Sequence, residues 1–198
     1  RYPQAEEDVL HDINFVAHPG QTTAFIGSTG SGKSTVVNLI PRFYDISNGS
    51  ILIDDTDIRD VSQHDLRERI GYIPQKSTLF SGTIESNLRY ADEDASEETL
   101  NEAIAISQSR EFIDSQPGGL SAEISQGGGN ISGGQKQRLS IARALVKQAP
   151  IYIFDDSFSA LDFKTDAALR RALRERINDN STLLLVTQRV STIKNADQ

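Results

Sequence analysis

An eight-residue run, Gly27-Ser28-Thr29-Gly30-Ser31-Gly32-Lys33-Ser34, constrains this chain more than anything else in it, because it matches the phosphate-loop pattern in full. Thr22 to Gly27 ahead of it reads as a buried strand, and Lys33 to Leu39 behind it is helical in pattern and stops before Pro41. Glycines let successive backbone N–H groups turn inward around an anion, and a helix N-terminus adds the positive end of its dipole. Lys33 is expected to reach the β and γ phosphates of a nucleotide, and Ser34 to bind Mg2+. The plain alternative, an accidental glycine turn, gives no reason for the flanking strand and helix.

The expected companion is Ile151-Tyr152-Ile153-Phe154-Asp155, a buried strand with a carboxylate at its C-terminal end, where open α/β sheets bind ligands. Asp155 is expected to hold Mg2+ through its water shell; capping the next turn is the other reading of a lone acid. Elsewhere, Val9 to Val16 alternates imperfectly and predicts a strand, followed by a turn at His18-Pro19-Gly20. Asn48-Gly49 marks a turn, Ser50 to Ile53 a short strand, and Ile70 to Ile73 another, ended by Pro74. From Leu79 to about Lys147 the signals turn helical: Thr83 to Leu88, Glu97 to Ile106 with Ser96 as its cap, and Gln135 to Val146. Gly118-Gly119 makes a turn and Gln126 to Gly129 a loop. Thr165 to Ile177 predicts a helix with Leu169, Ala172, Leu173 and Ile177 inward, and Leu183 to Val186 a last strand. Strands alternating with helices imply an α/β fold: a mostly parallel sheet covered on both faces, with an antiparallel edge.

Composition excludes several classes of function. A net charge of -8 and a pI near 4.9 oppose a nucleic-acid footprint or a basic patch for anionic lipid. No apolar run approaches the roughly 18 to 20 residues of a membrane helix. The absence of cysteine removes disulfides and thiolate zinc sites. His11, His18 and His64 stand among polar neighbours without metal-like spacing. With no Met and a start at Arg1 in mid-pattern, the chain reads as a piece of a longer polypeptide, truncated at both ends.

Taken together with Gln75, Ser132-Gly133-Gly134-Gln135 and Ser159-Ala160-Leu161-Asp162, the phosphate loop and Asp155 stand in the order and rough spacing of an ABC nucleotide-binding domain, which the whole chain resembles. The resemblance implies a P-loop NTPase core of the RecA-like type over 1–78 and 148–198, an N-terminal antiparallel β subdomain, and an inserted helical signature subdomain over 79–147. It implies ATP and Mg2+ as ligands, with Thr35 joining the loop residues around the nucleotide and Gln75 sensing magnesium and the attacking water. Ser132 and the Gly133 and Gly134 amides, with Gln135 closing the signature, would clamp the γ-phosphate of ATP held by an opposite subunit. Asp162 would lie on the loop that touches across that dimer. Leu79 to Leu88, Glu123 to Asn130 and Arg1-Tyr2 resemble the exporter type, whose transmembrane domains place this domain at the cytoplasmic face of the cell membrane. Tyr2 would stack on adenine, a task suited to a flat aromatic; a half-exposed strand Tyr is its other reading. Ala122-Glu123-Ile124-Ser125-Gln126-Gly127-Gly128 departs from the usual Glu-Arg-Gly ending at the place where exporters meet those membrane domains.

Two further departures bear on chemistry. Where the family has Glu to polarise the attacking water, this chain has Asp156. Asp is shorter by one C–C bond, roughly 1.5 Å, and a misplacement of about 1 Å can cost on the order of a hundredfold in rate, or about 2.7 kcal/mol of barrier. Where the family has a γ-phosphate-contacting His, this chain has Gln188, whose amide donates a hydrogen bond but cannot become cationic. These changes resemble the degenerate half of bacterial heterodimeric multidrug exporters: weak hydrolysis at this chain's own site and an intact signature lent to a different subunit. Neutral drift with catalysis kept, and an engineered replacement of Glu, are the alternatives. A non-transport ABC ATPase acting on nucleic acid or ribosomes, and a regulatory ATP-binding module, are the competing functions; acidity opposes the former.

Overall fold

The structure, a computed structural model, describes residues 7–176, 180–189, 193 and 196–198. Its elements in chain order are β1 (Thr22–Ile26), α1 (Lys33–Leu39), β2 (Leu52–Ile53), β3 (Thr56–Asp57), α2 (Gln63–Glu68), β4 (Ile70–Ile73), β5 (Gly82–Thr83), α3 (Ile84–Arg89), α4 (Glu97–Ile106), α5 (Arg110–Ser115), β6 (Glu123–Ile124), α6 (Gly133–Val146), β7 (Ile151–Asp155), α7 (Phe163–Arg176) and β8 (Thr182–Thr187). Four of the strands form a sheet in the order β1-β8-β7-β4. All its pairings are parallel, with Thr22 opposite Leu183, Ile153 opposite Leu184 and Ile73 opposite Phe154. β2 pairs antiparallel with β3, and β5 with β6. The expected α/β fold with a mostly parallel sheet is therefore present.

Because side chains alternate across a strand, one sequence run feeds two cores. Tyr152 and Phe154 of β7 and Leu183 and Leu185 of β8 join a large apolar cluster with Leu139, Ile141, Leu169, Leu173 and Ile104. Ile153, Leu184 and Val186 point the other way, onto Val37, Ile40, Leu66 and Ile70. Burial on both faces is what a parallel sheet requires, and each fully buried Leu or Ile contributes roughly 1.5–3 kcal/mol. The helices between 79 and 147 share the first cluster with the sheet, so they are packed onto it.

Helix starts follow local chemistry. Ser96 caps α4 by accepting from Thr99 N at 3.1 Å, as its position predicts. Thr83 and Ser86 form a reciprocal capping box on α3. Two expectations need revision. Val9 to Val16 belongs to no strand: the chain bends at Val9 and at Asp12 (φ 50°), and Val9, Ile13 and Val16 are 41%, 50% and 64% exposed. A cavity of about 1470 Å³ separates residues 8–19 from 44–55, and β2 and β3, two residues each, pair with one another instead. Alternation makes a strand only where a neighbour completes the ladder. Gln126 to Gly128, expected as plain loop, takes one 3-10 turn, with Gly127 in a left-handed conformation (φ 65°). Ile177 lies outside the described residues, while Leu169 and Leu173 do face inward.

Candidate functional site

The phosphate loop follows directly from the C-terminal end of β1. A Cβ on Gly27 would lie 2.8 Å from Ser31 Oγ and would turn that hydroxyl aside, whereas Gly30 and Gly32, at φ 83° and 89°, hold the left-handed backbone that the loop's return requires. Gly32, at φ 89°, is the N-cap of α1 and supplies no side chain to the helix amides. α2, α3, α4 and α6 differ: Ser62, Thr83, Ser96 and Ser132 each accept from a first-turn N–H. The start of α1, like that of α5, has no side-chain cap, which leaves its first-turn amides able to donate to an anion. Lys33 adds a full positive charge, its Nζ donating to Gly27 O at 2.8 Å, Ser28 O at 2.6 Å and Ser31 Oγ at 3.2 Å.

Asp155 closes β7 and is only 6% exposed. Its Oδ1 accepts from Ser34 Oγ at 2.7 Å, and its Oδ2 from Tyr72 Oη at 3.2 Å. Burial, reinforced by the Asp155 charge, pushes the Tyr72 phenol far above its ordinary range, so it stays a donor. Ser34 hydroxyl, Asp155 carboxylate and the nearby Gln75 amide are hard oxygen donors, the set that Mg2+ takes when it shares one or two carboxylates with phosphates. Among the described residues no cluster of three His, Cys, Asp or Glu offers another kind of metal site. The residues present therefore fit Mg2+.

Sheet register assembles the rest. Ile73 lies opposite Phe154, which brings Gln75, two residues on, level with Asp156; Gln75 Nε2 donates to Asp156 Oδ2 at 3.1 Å. Asp156 has a left-handed backbone (φ 47°), which Asp tolerates better than most side chains. Burial raises its carboxyl pKa; the Gln75 hydrogen bond opposes that, the Asp155 charge adds to it, and Lys33 and Arg189 pull the other way. Gln188, just past β8, accepts from Thr29 Oγ1 at 3.3 Å across 159 positions of sequence. Lys33, Ser34, Gln75, Asp155, Asp156, Gln188 and the loop are thus brought to one end of the sheet.

Ser132 to Gln135 stand apart. They form the N-terminus of α6, where Ser132 Oγ accepts from Gln135 N at 3.2 Å and Gln135 Oε1 from Ser132 N at 2.8 Å. Among the described residues no hydrogen bond or ion pair joins them to Gly27–Ser34. A Cβ on Gly134 would sit 3.5 Å from Ala160 O, so the signature packs on the Ser159–Asp162 loop. Asp162 caps α7, accepting from Lys164 N at 3.0 Å, Thr165 N at 2.9 Å and Thr165 Oγ1 at 2.7 Å. Those bonds, Thr165 N–H foremost, hold its carboxyl below the usual range. Tyr2 falls outside the described residues.

Sequence reasoning missed Tyr72, Asn38 and Arg189. Tyr72 looks like ordinary strand filling, and nothing local ties it to an acid 83 positions away. Arg189 donates to Ser159 O at 3.0 Å and Leu161 O at 3.4 Å, and lies 3.8 Å from fully buried Asp166, which Arg170 also pairs at 2.8 Å. It ties the segment bearing Gln188 to the loop beneath the signature.

Comparison with known proteins places the chain in a family. Residues 10–159 match the family described as ABC transporter. An uncharacterised ABC transporter ATP-binding protein of Mycobacterium bovis is 48% identical over 200 residues, covering 100% of this chain and 34% of that protein. An ATP-dependent lipid A-core flippase of Pseudomonas aeruginosa is 42% identical over 198 residues, covering 100% and 33%. A solved bacterial Atm1-family ABC exporter with ATP bound superposes with a TM-score of 0.94 at 38% identity, covering 100% of this chain and 34% of that one. The chain thus spans about a third of the length of the relatives it matches. No helix among the described residues is long and apolar enough to cross a membrane.

Proposed function

Because this chain belongs to the ABC transporter family, we propose that it is the ATP-binding and weakly hydrolysing domain of an exporter, working at the cytoplasmic face of the membrane as half of an ATP-dependent pair. The observation that carries the reading is the 2.7 Å bond from Ser34 at the end of the phosphate loop to Asp155 at the end of β7, which joins the anion cradle to a metal-fitting carboxylate. Lys33 exchanges its loop carbonyl partners for phosphate oxygens, and Gly27 to Thr35 line the nucleotide with Tyr2 on its base. Ser34, Asp155 and Gln75 hold Mg2+, which when bound neutralises charge on the phosphates.

Asp156 faces the attacking water with its partly buried carboxylate, the raised pKa favouring a basic role. Its shortness, together with an uncharged amide at Gln188, makes this site slow. A slow site still serves, because bound ATP stabilises the closed pair by mass action. The signature, Ser132 to Gln135 with Asp162 beside it, completes the site of a second, different nucleotide-binding subunit. Residues 79–147 act as the signature-bearing subdomain, and closure is passed to transmembrane domains in the same or a partner chain. The likeness to the flippase and the exporter supports transport over a nucleic-acid role, as does the acidic charge.

The assembled transporter tests this. Ser132→Ala is expected to lower turnover about a hundredfold, the scale of losing one oxyanion donor, while Lys33→Ala leaves most of it. Melting curves account for the cap that Ser132→Ala also removes, about 1 kcal/mol. The reverse ranking overturns the asymmetry, and failure of the unaltered chain to bind ATP overturns the whole reading.

A further inference from the structure

Both oxygens of Asp155 are held by the same helix, one directly and one at second hand. Ser34, in the first turn of α1, donates to Oδ1 at 2.7 Å. Asn38 stands four residues on, on the same helix face, and its amide Oδ1 faces Tyr72 Oη as an acceptor at 2.8 Å, while Asp155 Oδ2 faces the same hydroxyl at 3.2 Å. One phenol proton cannot serve two acceptors fully. Turning the Asn38 amide so that its nitrogen faces the phenol gives a complete relay, Asn38 N–H to Tyr72 oxygen and Tyr72 O–H to Asp155. The ring itself is set by packing: Phe43 meets it edge-on with centroids 5.1 Å apart, and the Arg67 guanidinium lies 5.5 Å over Phe43.

We propose that Tyr72, oriented by Asn38 and Phe43, is a positioning residue that locks the Asp155 carboxylate and so sets the affinity of the nucleotide site for a divalent cation. Torsion about a carboxylate's terminal bond is soft; with Ser34 alone, Asp155 can turn Oδ1 away from the metal-fitting position. The phenol removes that freedom without being a ligand, which is how groups behind metal-binding carboxylates act, and losing such a group costs 10–100-fold in metal affinity. The inference rests on the reading of Ser34 and Asp155 as the magnesium pair.

The test uses the full-length protein, Mn2+ as an electron-paramagnetic probe in the presence of ATP, and ATP affinity with Mg2+ and with EDTA. Tyr72→Phe is expected to weaken Mn2+ binding about tenfold or more while ATP affinity in EDTA stays within about twofold, a split that general loosening of the fold would not produce. Asn38→Ala is expected to move Mn2+ affinity in the same direction by less, and it carries the test if Tyr72→Phe does not fold. Unchanged Mn2+ affinity, or equal losses with and without metal, overturns the proposal. Asp155→Asn separates the two levels: if it leaves Mn2+ binding intact, the magnesium reading itself fails.

Discussion

Lengthening the carboxylate at position 156 tests the slow-site reasoning most directly. In Asp156→Glu the added methylene carries the carboxyl about 1.5 Å further from a backbone anchored by Asp156 N to Val186 O at 2.9 Å, so the new reach goes into the side chain and not into a shift of the loop. If reach limits the water attack, regaining about 1 Å of placement is worth on the order of a hundredfold in rate, about 2.7 kcal/mol of barrier. The substitution has a cost, since φ is 47° and Glu lacks the local bonding that eases Asp into left-handed backbone. That cost is about 1 kcal/mol of stability, too little to unfold a typical domain. The assay is single-turnover phosphate release from the full-length protein paired with its partner, the partner's own site silenced. A rise of tenfold or more supports the reasoning. Release within threefold of the parent refutes it, because carboxylate reach would then not be limiting. Adding Gln188→His to the longer acid is expected to raise the rate again, with the gain greatest where His is cationic, below about pH 6.5.

Two further expectations concern pH. Burial raises the Asp156 pKa, so between the ordinary carboxylate value of 3.8 and its raised folded value the native state holds more protons than the unfolded chain, and stability falls as pH rises through that window. Asp156→Asn removes the buried charge; it is expected to melt higher than the parent at pH 7, with the difference closing as the pH drops below 3.8, and a pH-independent difference would contradict the burial argument. At Asp57, the Arg59 side-chain hydrogen bond holds the carboxyl down to about 2, so its stabilising contribution is present above 3.8 and lost as pH falls through about 2. Carboxyl chemical shifts should titrate near that lower value and return toward 3.8 in Arg59→Ala; no shift in the midpoint would remove the ion pair as the cause.

Features written in local chemistry were legible in the sequence. α1 spans Lys33–Leu39 as its pattern requires, α4 begins at the Ser96 cap, and β4 stops before Pro74. The Val9 to Val16 alternation failed because a period of two says which face a residue would show, not whether another strand arrives to pair with it. Asp162 was legible as a loop acid but not as the cap of α7, although Thr165 three positions on was the available signal. Tyr72 and Arg189 carried no signal at all, since each acts through partners far away in sequence.

The sequence by itself determined the chemistry at hand: a glycine loop with Lys33 and Ser34, a carboxylate pair at 155 and 156, an amide at 188, and a signature run, Ser132 to Gln135, at the start of a helix. Tertiary structure alone decided which of these meet. Parallel register sets Gln75 against Asp156, and the β1-β8-β7 order carries Gln188 to Thr29 and Asp155 to Ser34, while Ser132 to Gln135 remain apart on α6. Local patterns arise from interactions within four or five residues, whereas these meetings depend on hydrogen-bond ladders and core packing between segments 81 to 159 positions apart, which no window of sequence contains.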